Sequence, residues 1–333
     1  MLEAVGPRLP GVRERGLSSV AAVSGSTTLR PAVADAPPSE APARQVELID
    51  KRLSPLQMLH ATLQHRALVA RLGIRVIIKG YSGAKLGRLW LVLRPAIAIV
   101  GMALLFGAVL DAPSNGVPYI LFLLVGMLAW MTFERFLFWA TRSFDTYRRV
   151  AAALDFPLLV VPTASAMAAG IEFCVFGGFI VVATVVFLLS DGRMYIEFGA
   201  ELLLVPAGLL LALALAWGMG LWLAVLNAKA RDVRIVLRYV LRVWMFVTPV
   251  LYPVSALPGT FGFLATINPV AAPVEMVKAG LIGAGDLRLE AIAVSVGCAI
   301  AACVSGLWFF CVKAPSLLAS QPAGLVDDEE ETI

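Results

Sequence analysis

The chain has few charged residues and almost no histidine. Charged residues make up 15% of its 333 residues, hydrophobic residues make up 59%, and two residues are histidine. An ordinary soluble domain has about 25% charged residues and is about half apolar. Apolar runs such as residues 202–226 exceed the roughly 20 residues that a helix needs to cross a bilayer. This composition excludes an ordinary soluble domain and predicts an all-α integral membrane protein.

The sequence also lacks the patterns of an enzyme, a metal centre or a nucleotide site. Residues 80–85, GYSGAK, lack the spacing of a phosphate-binding loop, so we expect no ATP bound by such a motif of the chain's own. Neither clustered His, Asp or Ser near an interface nor the inverted repeat common in secondary transporters is evident. Four cysteines lie in apolar segments without paired spacing, which favours small buried residues: Cys174, Cys298, Cys303 and Cys311.

Hydropathy predicts six transmembrane helices. They cover residues 89–110, 118–139, 165–189, 201–226, 238–254 and 289–312. Fifteen Lys and Arg residues lie in or beside the connections on one side, against three on the other, where Lys278 is counted. Because short cytoplasmic connections are rich in Lys and Arg, both termini are expected in the cytoplasm.

Flanking regions differ from this transmembrane domain of residues 89–313. Residues 1–45 are rich in Ala, Pro, Ser and Arg and predict a disordered extension. Residues 314–333 contain the run DDEEE and predict an acidic cytoplasmic tail, either simply solvated or used for docking.

Residues 50–88 contain a basic stripe in which Arg71, Arg75 and Lys79 recur every four residues beside apolar positions. This stripe predicts an amphipathic helix over residues 56–79, lying in the interface against anionic lipid head groups. A solvated cytoplasmic helix is the alternative. The predicted membrane-interface residues are Arg71, Arg75, Lys79 and Trp90.

Polar and aromatic residues within the spans are candidates for a transport pathway. Glu134 and Glu172 would cost a few kcal/mol each at the bilayer centre, which predicts a polar interior or hydrogen bonds between helices. Aromatic rings can stack on sugars, so four rings are candidate channel-lining residues, with packing against lipid as the alternative: Trp130, Phe133, Trp244 and Tyr252.

Two prolines, Pro249 and Pro253, interrupt the predicted fifth span. Proline frees a backbone carbonyl, which a bilayer tolerates only where protein or water satisfies it. Residues 255–285 are apolar but rich in Gly and Pro, too broken to span and too apolar for water. They predict a re-entrant hairpin between spans five and six, with a plain external loop as the alternative.

Four motifs in order carry a resemblance to a known family. They are YSGAKLGRLW at residues 81–90, AALDFPLLVVP at 152–162, the segment from NAKARDV to TPVLYP at 227–253, and INPV at 267–270. Together they resemble the membrane subunit of ABC-2-type exporters, specifically the polysaccharide-export permeases for capsule, O-antigen or teichoic acid.

The resemblance implies a transport subunit of the bacterial inner membrane rather than an enzyme. It implies a homodimer that forms one channel and two copies of a separate ABC ATP-binding subunit, which bind the ATP, so that the chain holds no cofactor of its own. The expected cargo is a polysaccharide or lipid-linked glycan, the surroundings are membrane lipids, and no nucleic acid is expected. ABC-2 permeases for drugs or lipids are the alternative, and an ion-coupled secondary transporter is an alternative of another class.

The same resemblance places a helix that docks the ATPase in the cytoplasmic connection at residues 142–157. The coupling residues it implies are Asp145, Tyr147, Arg148, Arg149, Phe156 and Pro157.

Overall fold

The computed structural model describes residues 54–79, 89–147 and 156–319, all within the unit formed by residues 49–333. In these ranges every regular element is helical. The α-helices are α1 Pro55–Gln64, α2 Arg66–Lys79, α3 Trp90–Met102, α4 Tyr119–Thr141, α5 Val160–Ala166, α6 Ala169–Asp191, α7 Leu204–Lys229, α8 Asp232–Val247, α9 Gly259–Ile267, α10 Ala271–Ile282 and α11 Leu289–Ala319. The predicted extension 1–45, the acidic run 327–331 and residues 81–88 of the first motif lie outside the described residues.

Five helical segments are long and apolar enough to cross a membrane. They are Trp90–Val109, Tyr119–Thr141, Val160–Asp191, Ala200–Lys229 and Leu289–Leu317. They coincide with predicted spans one to four and six, and they make the chain a multi-pass membrane protein. A π-helical stretch over Ala103–Val109 extends α3 to about 30 Å, the thickness of a bilayer core.

Helix α4 forms the centre of the bundle. Residues 121–130 are all buried, and the helix packs against α6, α7, α8 and α10. By contrast, α3 and α6 expose many apolar side chains, including Val100 and Val181. Cys174 on α6 is exposed and the other three cysteines are half-buried, so the expectation that all four are buried was wrong.

Helices α7 and α11 run parallel and approach closely at small residues. A Cβ placed on Gly218 would lie 2.4 Å from the carbonyl carbon of Ala302, so only glycine allows this distance. Trp222 then donates a hydrogen bond to Ser305 at 3.1 Å, one turn further along both helices. The parallel direction puts the start of α11 on the same side of the bundle as the start of α7.

The predicted fifth span has different limits in the structure. Helix α8 starts at Asp232, six residues before the predicted start, and ends at Val247, before either proline. Its 16 residues extend about 24 Å, less than a bilayer core. Leu237, Leu241 and Met245 are buried along one face, as expected for residues four apart on a helix.

The predicted helix over residues 56–79 is instead two helices, α1 and α2, that meet at His65. Val69 and Leu72 are buried where α2 packs against α5, so part of its apolar face contacts protein rather than lipid. Arg71 and Arg75 are exposed, and the side chain of Lys79 lies outside the described residues.

Beyond α8, helices α9 and α10 form a pair bent by 96° around residues 268–270. The end of α10 contacts the connections that precede α4 and α7. Asn115 donates to the Ala284 carbonyl at 3.1 Å, and a Cβ on Gly280 would lie 2.7 Å from the Glu201 carbonyl oxygen.

Candidate transport pathway

In the non-helical segment 248–253 that follows α8, two carbonyl groups accept hydrogen bonds from side chains of other helices. Lys278 of α10 donates to the Pro249 carbonyl, and the Tyr119 hydroxyl of α4 donates to the Leu251 carbonyl at 2.9 Å. Backbone freed from a helix within a membrane needs such partners. The sequence predicted that the prolines would create this need, and the structure identifies the groups that meet it.

Lys278 is the most deeply buried cation of the described residues, with an exposed fraction of 0%. Its ammonium lies 3.3 Å from Glu275 and 3.9 Å from the centre of the Phe122 ring. Counting Lys278 among the cations of the outer connections was therefore wrong. The available signal was its spacing from Glu275, since residues three apart share a helix face.

Asn268, between α9 and α10, links the bent helix pair to the end of α8. Its amide donates to the Thr248 hydroxyl at 2.9 Å, and its carbonyl oxygen accepts from the Trp244 indole at 3.0 Å and from the Val270 backbone at 3.1 Å. One side chain thus positions the last turn of α8 and the first turn of α10. The INPV motif contained this residue, but its partners were not predictable from spacing.

Three of the four predicted channel-lining rings form one cluster. Trp244 of α8 lies edge-on to Trp130 and Phe133 of α4, with ring centroids 6.3 and 5.4 Å apart. Trp130 and Phe133 are fully buried, whereas Trp244 is partly exposed. Tyr252 lies apart from this cluster, is also partly exposed, and donates to the Phe246 carbonyl at 2.7 Å.

The two intramembrane glutamates have different partners. Glu134 accepts a hydrogen bond from the Trp130 indole at 2.7 Å within α4. Glu172 of α6 lies 3.0 Å from the guanidinium of Arg135, so this pair joins α6 to α4. On α3, Trp90 lies 5.5 Å from the guanidinium of Arg94, which sits over its ring.

Residues 142–159 connect α4 to α5. In this connection, Asp145 accepts hydrogen bonds from two other segments. It accepts from Arg234 at the start of α8 at 2.8 Å and from Asn227 at the end of α7 at 3.2 Å. Tyr147 donates to the Leu72 carbonyl of α2, and burial raises the pKa of Tyr147 to about 12, so it remains a donor at neutral pH.

The other predicted coupling residues are less informative. Phe156 packs on the cluster around α5, and the Pro157 carbonyl accepts from the Val160 backbone at 2.9 Å, which starts that helix. Arg148 and Arg149 lie outside the described residues.

The sequence matches the family described as ABC-2 type transporter over residues 68–282. This chain belongs to the ABC-2 type transporter family. The matched region starts in α2 and ends at the last residue of α10. It therefore contains the Asp145 contacts, the aromatic cluster and the bent helix pair of this ABC-2 chain.

Two curated proteins are similar to this ABC-2 chain. It is 26% identical over 220 residues to the O-antigen export system permease protein RfbA of Myxococcus xanthus. This aligned region covers 65% of this chain and 81% of that protein. It is 24% identical over 230 residues to the O-antigen export system permease protein RfbA of Klebsiella pneumoniae, which covers 69% of this chain and 85% of that protein.

Proposed function

We propose that this ABC-2 chain is the permease subunit of an ATP-driven exporter that moves a polysaccharide across the bacterial inner membrane. The observation that carries the proposal is its similarity to two O-antigen export permeases over most of their length. ATP would be hydrolysed by a separate ABC ATP-binding subunit, as membership of the ABC-2 family implies. A drug or lipid cargo is the alternative within the same family.

In this proposal the chain crosses the membrane six times, and the fifth crossing is part helix and part extended segment. Residues of α8 and of segment 248–253 contact progressively earlier residues of α4. The pairs in order are Arg238 with Phe138, Trp244 with Phe133, Val250 with Gly126, and Leu251 with Tyr119. Residues 238–251 thus run antiparallel along nearly the whole of α4, although α8 alone is too short to span.

The bent pair α9–α10 is then a re-entrant hairpin. Its bend at Asn268 contacts Trp244, which packs on Trp130 halfway along α4. The end of α10 lies beside Asn115 and Glu201, in the outer connections. The pair therefore reaches from the outer surface to about mid-membrane. With six crossings, and with most Lys and Arg residues on the side of the 142–159 connection, both termini of the chain lie in the cytoplasm.

A homodimer is the second part of the proposal. Helix α8 buries one face against α4. On the other face, large apolar side chains are exposed: Val236, Tyr239, Val243 and Phe246. In a crossing that also carries exposed Arg238 and Arg242, such a face suits contact with a second copy around a hydrated channel better than contact with lipid alone. Two permeases would bind two ATP-binding subunits.

Coupling to the ATPase is assigned to the connection at residues 142–157. Asp145 lies in this connection, and its ion pair with Arg234 joins it to the first turn of α8. A displacement of the connection by the ATPase would therefore act directly on the helix that forms the fifth crossing.

The proposal is tested by deleting the gene and measuring the polysaccharide at the cell surface and inside the cell. We expect loss of a surface polysaccharide, accumulation of the same polymer in the cytoplasm, and recovery of both on re-expression. An unchanged surface polysaccharide together with altered drug resistance or lipid composition would contradict the polysaccharide cargo and favour the alternative.

A further inference from the structure

A cavity of about 210 Å³ lies between α3, α4 and α6 and is also lined by Met245 of α8. The charged residues that line it are Arg94, Arg135 and Glu172, and much of the remaining lining is methionine and other apolar side chains. Two of these lining charges are cations and one is an anion. Glu134 lies near Glu172 as well, but it is not part of the lining and accepts from the Trp130 indole.

The two guanidinium groups have capacity for another anion. Glu172 approaches Arg135 at Nε, at 3.0 Å, which leaves the two terminal nitrogens of this guanidinium for a further partner. Arg94 lies over the Trp90 ring and, within the described part of the chain, pairs with no carboxylate. An arginine in a membrane segment without a carboxylate partner is costly unless water or a ligand anion compensates it.

The depth of these residues matches one lipid leaflet. Arg94 is four residues from the start of α3, and Arg135 is six residues from the end of α4, which places them about 6 and 9 Å from those helix ends. Both ends lie on the side of the 142–159 connection. Arginine side chains at this depth extend toward the head-group layer.

We propose that this cavity binds the phosphate group of a lipid in the leaflet on that side. Guanidinium groups bind phosphate oxygens through paired N–H donors, so Arg94 and Arg135 would hold the phosphate together. Glu172 positions Arg135, and Met127 and Met131 offer an apolar surface to the start of the lipid chains. The phosphate belongs either to a bulk phospholipid or to a lipid-linked glycan, and the site does not depend on which of them it is.

The test measures lipid binding to the purified full-length chain by native mass spectrometry. The probes are phosphatidylglycerol, a polyprenyl phosphate and, as a lipid without phosphate, diacylglycerol. The variants are Arg94→Gln, Arg94→Lys and the double variant Arg135→Gln/Glu172→Gln, which leaves no unpaired glutamate. Arg193→Gln is the matched control, because Arg193 is exposed and lies outside the cavity.

We expect Arg94→Gln to weaken binding of the phosphate lipids about tenfold or more, the usual effect of losing a charged hydrogen bond. Arg94→Lys should retain part of the affinity, and diacylglycerol binding should not change. A preference for the polyprenyl phosphate assigns the site to a lipid-linked glycan, and an equal or opposite preference assigns it to a bulk phospholipid. Parental affinity for both phosphate lipids in Arg94→Gln and in the double variant would overturn the proposal.

Discussion

The ammonium group of Lys278 donates a hydrogen bond to the carbonyl of Pro249, and both residues are buried. This contact connects α10 to the non-helical segment after α8. Glu275 keeps the lysine charge compensated, and its other oxygen accepts from the Asp286 backbone at 2.6 Å. Segment 248–253 and the bent helix pair therefore stabilise each other, and the Pro249 carbonyl and the Lys278 ammonium would each lack a partner in a bilayer without the other.

Replacing Lys278 by Met should destabilise the protein strongly, because Glu275 would remain buried without its cation. Breaking a buried ion pair in this way typically costs about 3–5 kcal/mol. The double variant Glu275→Gln/Lys278→Met should recover part of this loss. Unfolding of the purified protein measures the effect, with exposed Lys229→Met as the control. Parental stability of Lys278→Met would show that the pair is not required.

Single cysteines test the six-crossing topology. A cysteine at Ser114 or Arg193 should react with an impermeant reagent from outside, and one at Thr146 or Lys229 should react only from the cytoplasm. Arg193 is preferred to Gly192, whose φ of 65° strains any other residue. Ser255→Cys is decisive for the hairpin, since a re-entrant pair places it outside. Labelling of Ser255→Cys only from the cytoplasm would instead make α9–α10 a crossing.

Asp145→Asn should reduce export while leaving membrane insertion unchanged. The variant keeps the side-chain size but removes the charge that pairs with Arg234 at 2.8 Å. We expect weaker coupling between ATP hydrolysis and transport, measured as polymer exported per ATP hydrolysed. Exposed Asp191→Asn is the matched control and should behave as the parent. Unchanged coupling in Asp145→Asn would exclude this pair from the coupling pathway.

Reversal of Arg148 and Arg149 to Glu tests the docking site itself. If the connection binds the ATPase, the double variant should insert normally but lose ATPase association, measured by co-purification. The exposed pair Lys229 and Arg231, which lies at the connection between α7 and α8 on the same side, is reversed in the same way as the control for charge. Normal co-purification of the ATPase with the Arg148 and Arg149 variant would contradict docking at this position.

Two substitutions of Tyr252 distinguish a ring that stacks on the sugar polymer from a residue that only stabilises the protein. Tyr252→Phe keeps the ring but loses the hydrogen bond to the Phe246 carbonyl, whereas Tyr252→Ala loses both. If the ring stacks on the polymer, export should fall in Tyr252→Ala and stay near parental in Tyr252→Phe at equal protein level. Equal loss in both variants would assign the role to the hydrogen bond. Trp130 is less suitable, because truncating a fully buried aromatic residue typically costs about 3–5 kcal/mol of stability.

Long apolar runs made five of the crossings predictable, because a bilayer requires about 20 such residues in a helix. The limits of α8 were not predictable from hydropathy. Arg234, Arg238 and Arg242 depress the apolar average, yet they lie on the same helix as the buried Leu237 and Leu241. The helix ends at Val247 because Thr248 precedes a proline, which disfavours helical backbone.

The hydrogen-bond and ion-pair partners of buried polar groups were also not predictable from the sequence. From the sequence, Lys278 is indistinguishable from a cation in an exposed loop. Its contacts with the Pro249 carbonyl and the Phe122 ring, which show that it is buried, come only from the structure. Likewise, Trp130 and Phe133 show no pattern that distinguishes a channel surface from the interior, since α4 is enclosed by other helices on several sides. Tertiary contacts, rather than local spacing, decide the environment of these residues.

Reconstitution of the permease with its ATP-binding partner in proteoliposomes tests the central claim most directly. The measurement is the amount of lipid-linked glycan that becomes accessible on the far side of the membrane. The account predicts translocation that requires ATP hydrolysis and stops when the partner is omitted or its hydrolysis is blocked. Translocation driven by an ion gradient without ATP and without the partner would contradict it.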